Sequence, residues 1–146
     1  MLENLELTGV AHVIQLSVAP VFLLSGIGAI LAVMTNRLAR IVDRARVLES
    51  RLAGSEGAAS ERIHQDLLTL ARRARLISRA IALCTLTALL VCGVVITLFL
   101  GAFLAFNASL PVALFFVGAM LSFVLGLVWF LREIFLAAAS LRIGPA

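Results

Sequence analysis

Three long apolar runs, separated by one polar segment and one short break, set the pattern of this chain. Ala80 to Phe106 carries no charge over 27 residues, and Leu110 to Leu131 none over 22. At about 1.5 Å of helical rise per residue these runs measure about 40 and about 33 Å, enough to cross the hydrocarbon of a bilayer. His12 to Met34 is also free of formal charge with His12 neutral, although Gln15 and Pro20 interrupt it. The pattern predicts an all-α membrane protein with transmembrane helices over 12–35, 80–106 and 110–131. Residues 1–19 are read as an outer amphipathic helix or as the start of the first span.

The polar segment between the first two spans has its own order. Leu38, Ile41, Ala45, Leu48 and Leu52 recur at alternating three and four residue spacing, as do Ile63, Leu67, Leu70, Ala74 and Ile77. That is the seam of a coiled coil. Gly54, Gly57 and two serines between them mark a reversal, with Ser60 placed to cap the second helix. Residues 36–79 are therefore expected to form an antiparallel two-helix coiled-coil arm. Folding it back pairs Leu52 with Ile63, Ala45 with Leu70 and Leu38 with Ile77. It also brings Arg51 near Asp66, Glu49 near His64, and Arg44 near Arg73. The last contact is repulsive and calls for an external or neighbouring acid.

The second and third spans carry small residues at four-residue spacing: Gly93, Thr97, Gly101 and Ala105 on one, Gly118, Ser122 and Gly126 on the other. Small residues let helix backbones approach closely in lipid. A turn centred near Ser109 would set Gly101 against Gly118, Thr97 against Ser122 and Gly93 against Gly126. Pro111 suits the first turn of the third helix, where no amide hydrogen is missed.

Charge decides orientation. Ten of the twelve arginines lie between Arg37 and Arg79, and five acids share that window, leaving it five positive charges in excess. Basic segments are retained on the cytoplasmic side. Glu3 and Glu6, with no basic residue before Arg37, leave the N-terminus free to be translocated. The expected topology is N-terminus outside and C-terminus in the cytoplasm, with residues 132–146 as a cytoplasmic tail. The lack of a basic n-region and the arginines that follow fit a retained first span better than a cleaved signal peptide. With 62% hydrophobic and 14% charged residues, a water-soluble domain is excluded.

Candidate chemistry is sparse. Cys84 and Cys92 are eight residues apart on one helix, about 12 Å along its axis, too far for a disulfide between them. No Cys or His spacing suggests a metal site, and no cofactor is implied. A Gly-rich phosphate loop, a Ser-His-acid set and a paired-carboxylate pocket are all lacking, which argues against an enzyme. Asn4, Thr8, His12 and Gln15 make a polar stripe that continues through Gly26 to Arg37. In an oligomer this stripe could line a pore with Arg37 at its mouth; packed on neighbours it is an interfacial helix face. His12 is the titratable group near that outer edge.

Glu133 sits at the inner end of the third span beside Arg132, but sequence neighbours do not face each other on a helix. Its ion-pair partner is expected on another helix, among Arg37, Arg40, Arg75 and Arg79. Arg72, Arg75 and Arg79 share a helical face and, with Arg40 and Arg44, are candidates for contact with anions or anionic lipid headgroups. Interleaved acids and membrane proximity argue against nucleic acid.

Four stretches carry a resemblance. They are Pro20-Val21-Phe22-Leu23-Leu24 with Gly28, the run Asn36-Arg37-Leu38-Ala39-Arg40-Ile41-Val42-Asp43-Arg44-Ala45-Arg46-Val47-Leu48-Glu49, then Arg72-Arg73-Ala74-Arg75-Leu76-Ile77, and Phe130-Leu131-Arg132-Glu133-Ile134. Over most of its length the chain resembles an uncharacterised bacterial integral-membrane family, domain of unknown function 2721. The resemblance implies a small three-span inner-membrane protein and brings no activity, cofactor or substrate.

Two function classes follow. One is a small homo-oligomeric pore or ion-transport component lined by the first helix. The other is a membrane-anchored scaffold whose basic cytoplasmic arm binds a protein partner or anionic lipid. A thin bundle with little core favours homo-oligomerisation.

Overall fold

A computed structural model describes residues 2–104 and 107–141, with side chains over 9–104 and 107–139. Three helices account for it: α1 (Leu2–Leu52), α2 (Ala58–Leu104) and α3 (Ser109–Leu141). Among the described residues there is no strand. Each helix is long and apolar enough to cross a membrane. Their apolar side chains face largely outward: Phe22, Phe103, Leu110 and Leu121 are all more than 60% exposed. Such a surface is untenable in water and ordinary in lipid, as in a multi-pass membrane protein.

The helices run further than the apolar runs do, and this corrects the expected arm. No separate two-helix coiled-coil element stands between the first and second spans. Residues 36–52 are the continuation of α1, and 58–79 the beginning of α2. The cause lies in composition. No Gly or Pro occurs from Met34 to Leu52 or from Ala58 to Ala80, and Arg, Leu, Ala and Glu propagate a helix through the change from apolar to charged. Pro20 is likewise contained within α1, so residues 2–19 and the first span are one helix. The expected tail is helical as far as Leu141, and Arg142 lies outside the described residues.

The seam positions survive this correction. All ten are buried or half-buried, with Ile41, Leu70 and Ile77 fully so, while Val42, Val47 and Leu68 between them are exposed. The reversal is tight. Gly54 N donates to Arg51 O at 3.2 Å and Ser55 N to Leu52 O at 3.2 Å. Gly57 takes φ +66°, a left-handed conformation open to glycine at little cost, and its carbonyl accepts from Glu61 N at 3.3 Å. α2 thus starts at Ala58, so Ser60 is inside the helix and does not cap it. The expected contacts of Arg51 with Asp66 and Glu49 with His64 do not form ion pairs; both lie on exposed faces where such pairing adds little.

The chain divides into two compact units, each drawing on all three helices: Met1–Ile30 with Leu83–Val124, and Leu31–Ala82 with Leu125–Ala146. In the first, the core is small and hydroxylated: Ser17, Cys84, Thr87, Thr97, Ala119 and Ser122 accompany Ile27, Val91 and Val94. Thr87 Oγ1 donates to Leu83 O at 2.9 Å and Thr97 Oγ1 to Gly93 O at 2.7 Å, so these hydroxyls are satisfied within α2. Ser122 Oγ donates from α3 to that same Leu83 carbonyl at 2.9 Å.

This unit also corrects the expected register. A Cβ on Gly93 would meet the Phe115 ring at 3.4 Å, and one on Gly118 would meet Leu90 Cδ1 at 3.6 Å. Gly93 and Gly118 therefore each receive a large side chain of the other helix instead of its small residues. A large side chain in a glycine notch buries more contact surface than two notches face to face. Gly101 is buried; Ala105 lies outside the described residues. At the start of α3, Asn107 Oδ1 accepts from Ser109 N at 3.1 Å and Ser109 Oγ at 2.6 Å, and Pro111 sits in the first turn.

The second unit packs Met34 and Ile41 of α1 with Leu70, Ile77 and Ala80 of α2 and with Gly126 of α3. Its one buried charged side chain among the described residues is Glu133.

Candidate anion-binding site

Glu133 is 0% exposed and is met by two guanidiniums from different helices. Arg73 of α2 donates to Oε1 from Nε at 3.2 Å and from Nη2 at 3.0 Å. Arg37 of α1 sets Nη2 2.9 Å from Oε2, close enough for an ion pair but out of line for a hydrogen bond, so that oxygen is paired by charge alone. Arg37 also lies with Cζ 5.6 Å from the centroid of Phe130. Burial of a lone carboxylate would cost several kcal/mol; two cations within contact make it tenable.

The partners are half expected. Arg37 is among the four arginines that the sequence proposes for Glu133, while Arg40, Arg75 and Arg79 are not in contact with it. Arg73 is missing from that set, yet its predicted apposition to Arg44 already called for an acid. Glu133 answers Arg73 and leaves Arg44 outside the pair.

Arg37 and Arg73 also line an open groove of about 580 Å³ with Asn36, Arg40, Arg44 and the apolar Val33, Ile41, Leu70 and Ala137. Each guanidinium has five N–H donors, so Glu133 engages a minority of them. Four arginines line the groove and one carboxylate, Glu133, pairs with two of them, so among the described residues the excess is three positive charges.

A second groove of about 540 Å³ is lined by Arg72, Arg75 and Arg79 of α2, Trp129 and Arg132 of α3, and Leu76 and Leu136. Arg79 and Arg132 both pack on the Trp129 ring, with Cζ 5.2 and 5.6 Å from its centroid. Among the described residues no acid lines this groove, and none of its four arginines is in an ion pair. Sequence spacing finds Arg72, Arg75 and Arg79 on one face; Trp129 and Arg132 escape it, because only packing shows which face of α3 they join.

The polar stripe of α1 converges on nothing comparable. His12, Gln15 and Gly26 are exposed, and the Thr8 side chain lies outside the described residues. Arg37, the proposed pore mouth, is committed to Glu133 and Phe130. Among the described residues no group of three or more His, Cys, Asp or Glu is placed to hold a metal. Cys84 is buried, Cys92 exposed, and both are free thiols.

No curated protein and no solved structure matches the chain. A family profile described as protein of unknown function (DUF2721) matches residues 17–143, nearly the whole of the described helices. The chain belongs to that family.

Proposed function

We propose that this protein is a multi-pass protein of the bacterial inner membrane that holds anionic phospholipid headgroups in the groove around Trp129. One observation carries the reading: four arginines from two helices converge there with no carboxylate of the described residues among them. Basic pockets between membrane helices suit phosphate headgroups, and each arginine near an anionic surface adds about 1 kcal/mol. Trp129, Leu76 and Leu136 supply the apolar wall beside which a lipid's glycerol and upper acyl chain can lie. In this reading the N-terminus is outside and the arginines face the cytoplasmic leaflet. The basic segment is then a membrane-bound platform, with further copies of the chain or a cytoplasmic protein as its partners.

Native mass spectrometry of the detergent-purified protein with equal phosphatidylglycerol and phosphatidylcholine tests it. Selective retention of phosphatidylglycerol, lost in an Arg72→Gln/Arg75→Gln/Arg79→Gln variant, is the expected result. Equal retention of the two lipids ends the reading. A pore lined by α1, the other reading that the sequence allows, requires ion flux in liposomes altered by Arg37→Glu. Sealed liposomes holding folded, oriented protein would rule it out.

A further inference from the structure

We propose that the groove beside Glu133 is a second and separate site, built for a doubly charged phosphate group such as a phosphate monoester or inorganic phosphate. It shares no residue with the Trp129 groove and stands whether or not that groove holds lipid.

The first argument is charge. Arg37, Arg40, Arg44 and Arg73 line the groove, and Glu133 is the acid in contact with any of them. A singly charged phosphodiester would leave two positive charges unanswered. A phosphate monoester, whose second ionisation lies near pH 6, brings close to two negative charges at neutral pH. Asp43 is exposed and does not line the groove, so it does not supply the missing charge.

The second argument is preorganisation. Glu133 grips Arg73 and Arg37 from the buried side, and Phe130 lies against the second of them. Arg73 is thereby held by two hydrogen bonds and Arg37 is drawn to the same acid, so binding has less to order. Arg40 and Arg44 follow Arg37 on the same face of α1 by three- and four-residue steps, so three guanidiniums stand in a row against Arg73 of α2. Asn36 adds an amide donor at one side. Without a ligand, the like charges of Arg40, Arg44 and Arg73 oppose one another around open space. A bound oxyanion turns that repulsion into attraction. Guanidinium groups fit phosphate oxygens with paired, charge-assisted hydrogen bonds.

The phosphate could belong to a soluble molecule or to a lipid with a monoester headgroup, and the experiment separates these sources. Isothermal titration calorimetry with the full chain in detergent uses inorganic phosphate in a chloride buffer. The expected result is saturable binding, about tenfold or more weaker in Arg40→Gln/Arg44→Gln and unchanged in Arg72→Gln/Arg75→Gln. Both substituted arginines of the first variant are exposed and outside the ion pairs, so the fold is not at stake. In nanodiscs, competition by phosphatidic acid but not phosphatidylglycerol assigns the phosphate to a lipid; no competition assigns it to a soluble molecule. Either outcome supports the site. Failure to bind both inorganic phosphate and phosphatidic acid overturns it, as does wild-type affinity in Arg40→Gln/Arg44→Gln. Equal loss in Arg72→Gln/Arg75→Gln overturns it as well, by making the two grooves one.

Discussion

Arg73 gives Glu133 both its Nε and Nη2 hydrogens, and both fall on the same carboxylate oxygen, at 3.2 and 3.0 Å. The other oxygen is left to Arg37, at 2.9 Å. One acid on α3 thereby ties a cation from α1 to a cation from α2. The pairing is asymmetric: Arg73 is hydrogen-bonded and 18% exposed, Arg37 merely close and 31% exposed.

Glu133→Gln should lower stability by about 2–3 kcal/mol, below the 3–5 kcal/mol typical of a fully buried broken pair, because both arginines reach water and can rehydrate. Arg73→Gln should cost at least as much, since it takes both hydrogen bonds from a carboxylate that has no access to water. Thermal unfolding in detergent gives the order; a clearly smaller loss in Arg73→Gln would contradict it.

The α2–α3 register predicts which cysteine pairs can be joined. With Cys84 and Cys92 replaced, Leu90→Cys/Gly118→Cys should be joined by a short thiol-to-thiol cross-linker, because Leu90 Cδ1 comes within 3.6 Å of a Cβ at Gly118. Thr97→Cys/Ser122→Cys, the pair that matched small-residue stripes would favour, should not. Efficient bridging of the second pair and not the first would restore the stripe-to-stripe register.

Ser122→Ala removes the hydrogen bond to Leu83 O, leaving that carbonyl to Thr87 and the helix. Interhelical bonds of this kind average about 0.6 kcal/mol in membranes and reach about 1.7. Reversible unfolding should show a loss in that range. A loss above it would mean that the hydroxyl does more than bridge the two helices.

Trp129→Leu keeps an apolar wall but deprives Arg79 and Arg132 of the ring on which both rest. Each contact of this type is worth about 0.5–2 kcal/mol. Phosphatidylglycerol retention should fall while the protein stays folded, as judged by circular dichroism. Unchanged retention would show that the arginines need no such support.

The sequence pattern conveys the helices and their seam well, and the contacts that make sites less well. The ten apolar positions of the basic segment identify themselves by spacing, because a seam repeats and burial follows it. The boundaries at residues 36 and 79 mark a change of composition, not of secondary structure, so the helices pass through them. Glycine stripes are ambiguous in a different way. A notch can face a notch or a ring, and nothing local to Gly93 names Phe115. Glu133 falls between these cases. Its need for a cation from another helix is evident, and the level of Arg37 in the chain names one of the two that it has, while Arg73 is set by packing alone.

Trp129 is the chain's one tryptophan, and there is no tyrosine. The protein's near-ultraviolet emission therefore originates from a single indole packed against two guanidiniums at the wall of the proposed lipid groove. Any headgroup that draws Arg79 or Arg132 off the ring changes the field around that fluorophore. Occupancy of the groove can thus be followed optically in the unlabelled wild-type chain, with no background from elsewhere in the molecule.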